Sequence, residues 1–310
     1  MATSSTIRRR IPVDVPAVAS VTSKTSRTIN WLELPEWQKD NEYIISGYRR
    51  VQNQWRGCFT SVFAYLHNET INIHTHLWAA VLFAYFLATF HQTYLKQYAA
   101  TTWADSAVIV VFLSSAIFCL GASAFFHTST CHSEEVSSRC HALDYSGIVI
   151  LTVGSFYPSL YFGFFCQPRL QIFYLAAISS IGLVAAYIVL SPEYSKPTHR
   201  AARTTVFVGL GLSGVGPITH CLLTEGYQRV FSDLGFGWVV LCGALYILGA
   251  LLYANRIPER LAPGKFDYFL ASHQIFHCCV VAAAGAHYAG VLTALNYSYS
   301  RPNICVGPSG

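Results

Sequence analysis

Charge is what this chain has least of: Asp, Glu, Lys and Arg make up 11% of its 310 residues, whereas soluble domains carry roughly 25%. Hydrophobic residues reach 53% and gather in seven long runs. A soluble fold would have to jacket each run on every side, so a soluble all-helical protein is set aside for a membrane one. No apolar h-region stands near the amino terminus, and no cleavable signal peptide is expected. The seventh run has no lysine between His273 and Ala294, which removes the attachment point for a retinal Schiff base. No internal repeat is strong enough to assign. Cysteine is plentiful, at 10 residues, yet badly placed for a disulfide framework. Cys119, Cys242, Cys278 and Cys279 lie inside apolar runs, where cysteine packs as a small hydrophobe. Cys58, Cys131 and Cys140 lie in segments read as cytosolic, where thiols stay reduced, leaving Cys166, Cys221 and Cys305 to face an oxidising side.

What is present divides the chain into four parts. Residues 1–34 read as a disordered basic cytosolic tail, with Arg8, Arg9 and Arg10 suited to lie near anionic lipid. Residues 35–74 read as a cytosolic cap followed by a short amphipathic interfacial helix over about 57–72. Residues 75–295 hold a seven-helix transmembrane bundle, with spans near 75–98, 104–126, 143–165, 170–190, 204–223, 236–254 and 270–294. Residues 296–310 form a short outer or lumenal tail. In the fifth span GLGLSGVGP predicts a small-residue surface for close helix approach and a kink at Pro217. Sixteen of the 20 Lys and Arg residues fall on the amino-terminal side of alternating spans; the other side holds Lys96, Arg169, Arg229 and Arg301. The positive-inside rule then puts the amino terminus in the cytosol and the carboxyl terminus outside or in a lumen.

Four residues meet at one depth in that topology. His127 ends the second span, Asp144 opens the third, and His273 and His277 open the seventh, all in the inner leaflet. Ser123 shares a helix face with His127, and His273 with His277, by their spacing of four. Ionisable residues in membrane helices are costly and default to function. Neutral imidazoles suit Zn²⁺, and three protein ligands plus water is the catalytic pattern. The glutamate of the HExxH motif is missing, so Asp144 is the candidate general base or partner of a zinc-bound water, with Ser123 beside it. Blander roles stand next to these: a packing role for His127, a helix cap for Asp144, an ordinary helix contact for Ser123. A Ser-His-Asp triad from Ser123, His127 and Asp144 would leave His273 and His277 without a task. His74 and His76 precede the first span, His132 and His141 sit in the second loop, and His220 and His287 fall near the outer ends, away from His127.

The motifs NETINIHTHL at 68–77, SAFFHTSTCHSEEVSSRCHALDYSGI at 123–148 and SHQIFHCCVVAAAGAHY at 272–288 resemble the progestin and adipoQ receptor family, also called hemolysin III-related. Within it the chain is most similar to the fungal zinc-homeostasis members and the adiponectin receptors, over about residues 35–295. The resemblance implies seven helices, a cytosolic amino terminus and a Zn²⁺ near the inner leaflet held by His127, His273 and His277, with Asp144 and Ser123 beside it. It also implies a lipid-amide hydrolase acting on a ceramide-like substrate, with sphingoid base and fatty acid as products. Glu69 and Asn72 match a polar element before the first helix, and their role is read as structural.

The expected protein is therefore a multi-pass membrane protein of the plasma membrane or endoplasmic reticulum, a ceramidase-like zinc amidohydrolase linked to lipid and zinc homeostasis. The alternative is a receptor or sensor whose zinc is structural; zinc transport ranks third, because the polar ligands lie mainly at one depth. Membrane lipid, ceramide or fatty acid, is the expected partner, an extracellular or lumenal ligand is left open, and nucleic acid is not expected.

Overall fold

The computed structural model describes residues 26–191, 199–300 and 305. The expected disorder of the tail falls largely on residues 1–25, and Lys196 of the fourth loop on residues 192–198, both outside the described residues. Among those described, seven helices are long and apolar enough to cross a membrane, as the hydropathy predicts. A short helix, α1 (Trp55–Ala64), precedes them. The spans are α2 (Thr70–Phe90) with a π-helical turn to Leu95, α3 (Trp103–Ser129), α4 (Glu134–Gly163), α5 (Pro168–Leu190), the pair α6 (Arg200–Leu212) and α7 (Val215–Glu225), α8 (Phe236–Asn255) and α9 (Ser272–Ser300).

Local chemistry sets the ends. Asp105 accepts from the Thr102 amide at 2.6 Å and from its hydroxyl at 2.8 Å, a capping box that opens α3. Pro168 occupies the first turn of α5, where its missing N–H costs nothing. Ser133 caps α4, accepting from the Val136 amide, with Glu134 and Glu135 in the first turn. Asp144 consequently lies almost three turns inside α4 and caps nothing, contrary to one sequence reading. The interfacial helix stops at Ala64 instead of running on to 72, and residues 70–76 with His74 and His76 belong to α2. The fifth span breaks at Ser213 and Gly214, one turn before Pro217, whose absent N–H leaves that turn without its bond.

The largest core cluster joins α2, α3, α4 and α9 through Phe83, Ile109, Phe112, Leu113, Leu120, Leu151, Ala284 and Leu295, while a second one sits among α4, α5, α6 and α7 around Val149, Leu160, Ile178 and Leu210. In the fifth span close approach is confined to Gly214, where a Cβ would lie 2.9 Å from the Phe156 ring of α4, while Gly209, Gly211 and Gly216 meet no neighbouring atom within 4 Å. Closer packing comes from α4, where a Cβ on Gly147 would lie 2.9 Å from the Cys119 Cα and one on Gly154 would run into the Ser115 side chain.

A compact cap closes one end of the bundle. Strands β1 (Thr28–Ile29) and β2 (Tyr48–Arg49) pair antiparallel. Asp267, in the loop before α9, accepts from the Ile45 and Ser46 amides at 2.9 and 2.8 Å, and Arg256 pairs with Asp40 at 2.6 Å. Glu259 is fully buried and accepts from the Ser272 amide at 2.7 Å, from the Ser272 hydroxyl and from Asn41 at 3.1 Å. That carboxylate anchors the first turn of α9, which carries His273. At the far end Cys166 and Cys305 form a disulfide with Cα atoms 5.1 Å apart. One bridge therefore exists among the three cysteines expected to be able to face an oxidising side.

Glu259→Ala would leave the first turn of α9 without its acceptor, at a cost of about 2–3 kcal/mol. The expected outcome is an apparent Tm in detergent lowered by several degrees; an unchanged Tm would show that Glu259 does not hold the α9 start.

Candidate metal centre

His127 stands in the last turn of α3, and His273 and His277 in the first two turns of α9. Each presents one ring nitrogen to a common point, all within 4.8 Å of one another, and the ring centroids are 4.6–5.0 Å apart. The Nε2 atoms of His127 and His273 approach to 3.2 Å. These are the three histidines that the sequence singles out.

The opposite ring nitrogens explain why the rings face that way. Glu69 Oε2 accepts from His127 Nδ1 at 2.8 Å, and the backbone oxygen of Asn72 accepts from His277 Nδ1 at 3.1 Å. An acceptor at Nδ1 fixes the proton there and leaves a lone pair on Nε2. Glu69 is in turn held by the Asn72 amide nitrogen at 2.6 Å. Burial alone would raise the Glu69 carboxyl, but the His127 ring beside it, hydrogen bonds from His127 and Asn72, and the charge of Arg49 hold it below the usual carboxylate range. The His76 ring stacks on His277 at 3.7 Å between centroids, tilted by 9°. Arg49, from the cap, donates to the His127 and Thr128 carbonyls and to Thr130 Oγ1, satisfying the carbonyls that end α3.

Glu69 and Asn72 are thus more than the packing element that the sequence suggests, and His76, weighed in the sequence only as a competing histidine, packs on the cluster instead. A signal did exist: positions 69, 72 and 76 follow i, i+3, i+7 and so share one face where α2 begins. Asp144 lies next to Ser123 and within the electrostatic reach of His127. Of the competitors, His132 packs on Trp55, His141 on Phe126 and Tyr145, His220 bonds the Tyr174 hydroxyl at 2.8 Å, and His287 packs on Phe112. None of them joins the cluster.

The donor set suits a borderline transition metal. Zn–N bonds of 2.0–2.1 Å at tetrahedral angles separate nitrogens by about 3.3 Å, close to the Nε2 approach of His127 and His273. A carboxylate and a backbone carbonyl behind two of the three rings is the outer support that metal-ligating histidines carry.

The helices and this cluster together define an integral, multi-pass membrane protein with seven spans and a histidine-lined site at one end. The chain belongs to the haemolysin-III-related family, whose sequence profile matches residues 64–288. It is 42% identical over 265 residues to progestin and adipoQ receptor-like protein 1 of Caenorhabditis elegans, covering 86% of this chain and 60% of the relative. It is 39% identical to the adiponectin receptor protein of Drosophila melanogaster, over 94% of this chain and 65% of that one. Against the ADIPOR-like receptor IZH2 of Saccharomyces cerevisiae it is 39% identical, over 89% of this chain and 87% of the yeast protein. The chain therefore spans less than two thirds of the two animal relatives and most of the yeast one.

Glu69→Ala should weaken Zn²⁺ binding about 10–100-fold in chelator competition, because His127 loses the acceptor that fixes its tautomer. Glu69→Gln, which keeps an acceptor oxygen, should lose less. Equal affinity in all three proteins would contradict the orienting role.

Proposed function

We propose that the protein is a zinc-dependent hydrolase of a lipid amide, cleaving a ceramide-like substrate to a sphingoid base and a fatty acid. The observation that carries this reading is the donor set: three imidazoles converge from two helices, the cluster numbers three among the described residues, and a carboxylate stands beside it. Catalytic zinc sites keep a position open, whereas structural ones usually close it with a fourth side chain. Bound there, Zn²⁺ supplies a Lewis acid for a carbonyl and lowers the pKa of a water to about 7.

The chain's own residues do the rest. His127, His273 and His277 hold the ion, and Glu69 and Asn72 keep two of those rings aimed. Asp144 takes the proton of the attacking water and hands it to the departing nitrogen, as a general base and then acid. The water oxygen bonds to the amide carbon, the C–N bond breaks, and a carboxylate and an amine leave. Ser123 orients the Asp144 carboxylate. The site is read as facing the cytosolic leaflet, with the amino terminus in the cytosol. The Lys and Arg bias supports this, as does a disulfide at the opposite end, where an oxidising compartment would lie.

A second reading, a receptor or sensor with a structural zinc, draws support from the receptor names of the relatives and from Arg49, which ties the cap to the carbonyl of His127. Zinc content and hydrolysis of several lipid amides, measured on one preparation in detergent, separate the two. Asp144→Ala should keep its zinc and lose about 100-fold or more in turnover, while His273→Ala loses both. Zinc in the wild type with no turnover above the metal-free protein would put the receptor reading first.

A further inference from the structure

Outside the histidine cluster, the structure brings two thiols into contact. Cys58 on α1 and Cys131 in the α3–α4 turn are both buried, and their sulfurs lie 3.6 Å apart. They come from segments 73 residues apart in sequence. The surroundings favour a thiolate. Arg49 is buried alongside, its hydrogen bonds all go to neutral groups of Ser61, His127, Thr128 and Thr130, and its charge acts on both thiols as well as on the Glu69 carboxylate. The hydrogen bond shared with Cys58 lowers the Cys131 thiol against the burial that raises it, and Arg49 adds to the lowering while Glu69 opposes it; the Cys58 thiol is pushed up. A second metal site is the weaker alternative, because among the described residues no third His, Cys, Asp or Glu joins these two.

We propose that Cys58 and Cys131 are a peroxide-oxidisable dithiol, a site of reversible disulfide formation that fastens α1 to the turn four residues beyond His127. The Cys131 thiolate attacks one oxygen of a hydroperoxide: an S–O bond forms, the O–O bond breaks, and the leaving oxygen departs as water after protonation. Cys58 then attacks the Cys131 sulfur: the S–S bond forms, the S–O bond breaks, and the departing hydroxide takes the Cys58 proton and leaves as a second water. Two thiols are oxidised, one hydrogen peroxide is reduced to two waters, and a small dithiol reverses the bond by exchange. The sulfurs need to close from 3.6 Å to about 2.05 Å, a movement that a turn outside the membrane spans can absorb. Gln52 and Asn53 hold that turn through the Cys131 and His132 carbonyls at 2.8 and 2.9 Å, and Arg49 links it to the His127 carbonyl, so the new bond braces the cap against the end of α3.

The test uses the full chain in detergent, reduced, freed of reductant, exposed to hydrogen peroxide, quenched with iodoacetamide after unfolding, and digested without reduction for mass spectrometry. The expected result is a linked pair of peptides containing Cys58 and Cys131, two hydrogens lighter than the separate peptides and lost on dithiothreitol treatment. In Cys58→Ser, Cys131 should instead accumulate a sulfenic acid that dimedone traps. The proposal is overturned if both thiols of the wild type stay alkylatable at a peroxide dose that fully oxidises free cysteine in the same buffer, or if Cys131 passes to sulfinic acid without a linked product.

Discussion

A histidine ring offers a lone pair at Nε2 only while its proton sits on Nδ1, and one end of this bundle is organised around that rule. Glu69 and the Asn72 carbonyl hold the Nδ1 protons of His127 and His277, so both rings turn their free nitrogens the same way. The placement of those acceptors depends on where α2 begins, because Glu69 is its first flanking residue and Asn72 lies in its first turn. The placement of the rings depends on where α3 ends and α9 starts, which Arg49 and Glu259 settle by satisfying helix-end groups. The cap is thus the scaffold that sets the register of three helix ends at once.

The two ends of the molecule differ in sulfur chemistry as well as in polarity. At the cap end Cys58 and Cys131 lie in contact without a bond, while at the other end Cys166 and Cys305 are joined. A chain whose ends lie in compartments of opposite redox poise would carry this asymmetry, and the distribution of Lys and Arg runs the same way.

Hydropathy made the seven spans legible because it reports what must be kept from water. It misplaced their ends because a helix need not stop where lipid does. The stretch from Glu134 to Leu143 carries four charged or imidazole side chains and reads as a loop, yet its cap at Ser133 and its first-turn glutamates make it helical, so Asp144 sits deep in α4. His127, His273 and His277 were legible through their spacing and matched depth. The role of Glu69 was not, since its partner is 58 residues away and only the packed bundle brings them together. The Cys166–Cys305 pairing, 139 residues apart, was hidden for the same reason.

The central claim is that His127, His273 and His277 bind one metal ion and leave a position open. X-ray absorption on the purified, zinc-loaded chain tests it most directly. The account predicts three imidazole nitrogens at about 2.0–2.1 Å and one further light oxygen or nitrogen scatterer in a four-coordinate shell. A sulfur shell at about 2.3 Å, or a fourth imidazole, would place the ion elsewhere or close the site, and would contradict it.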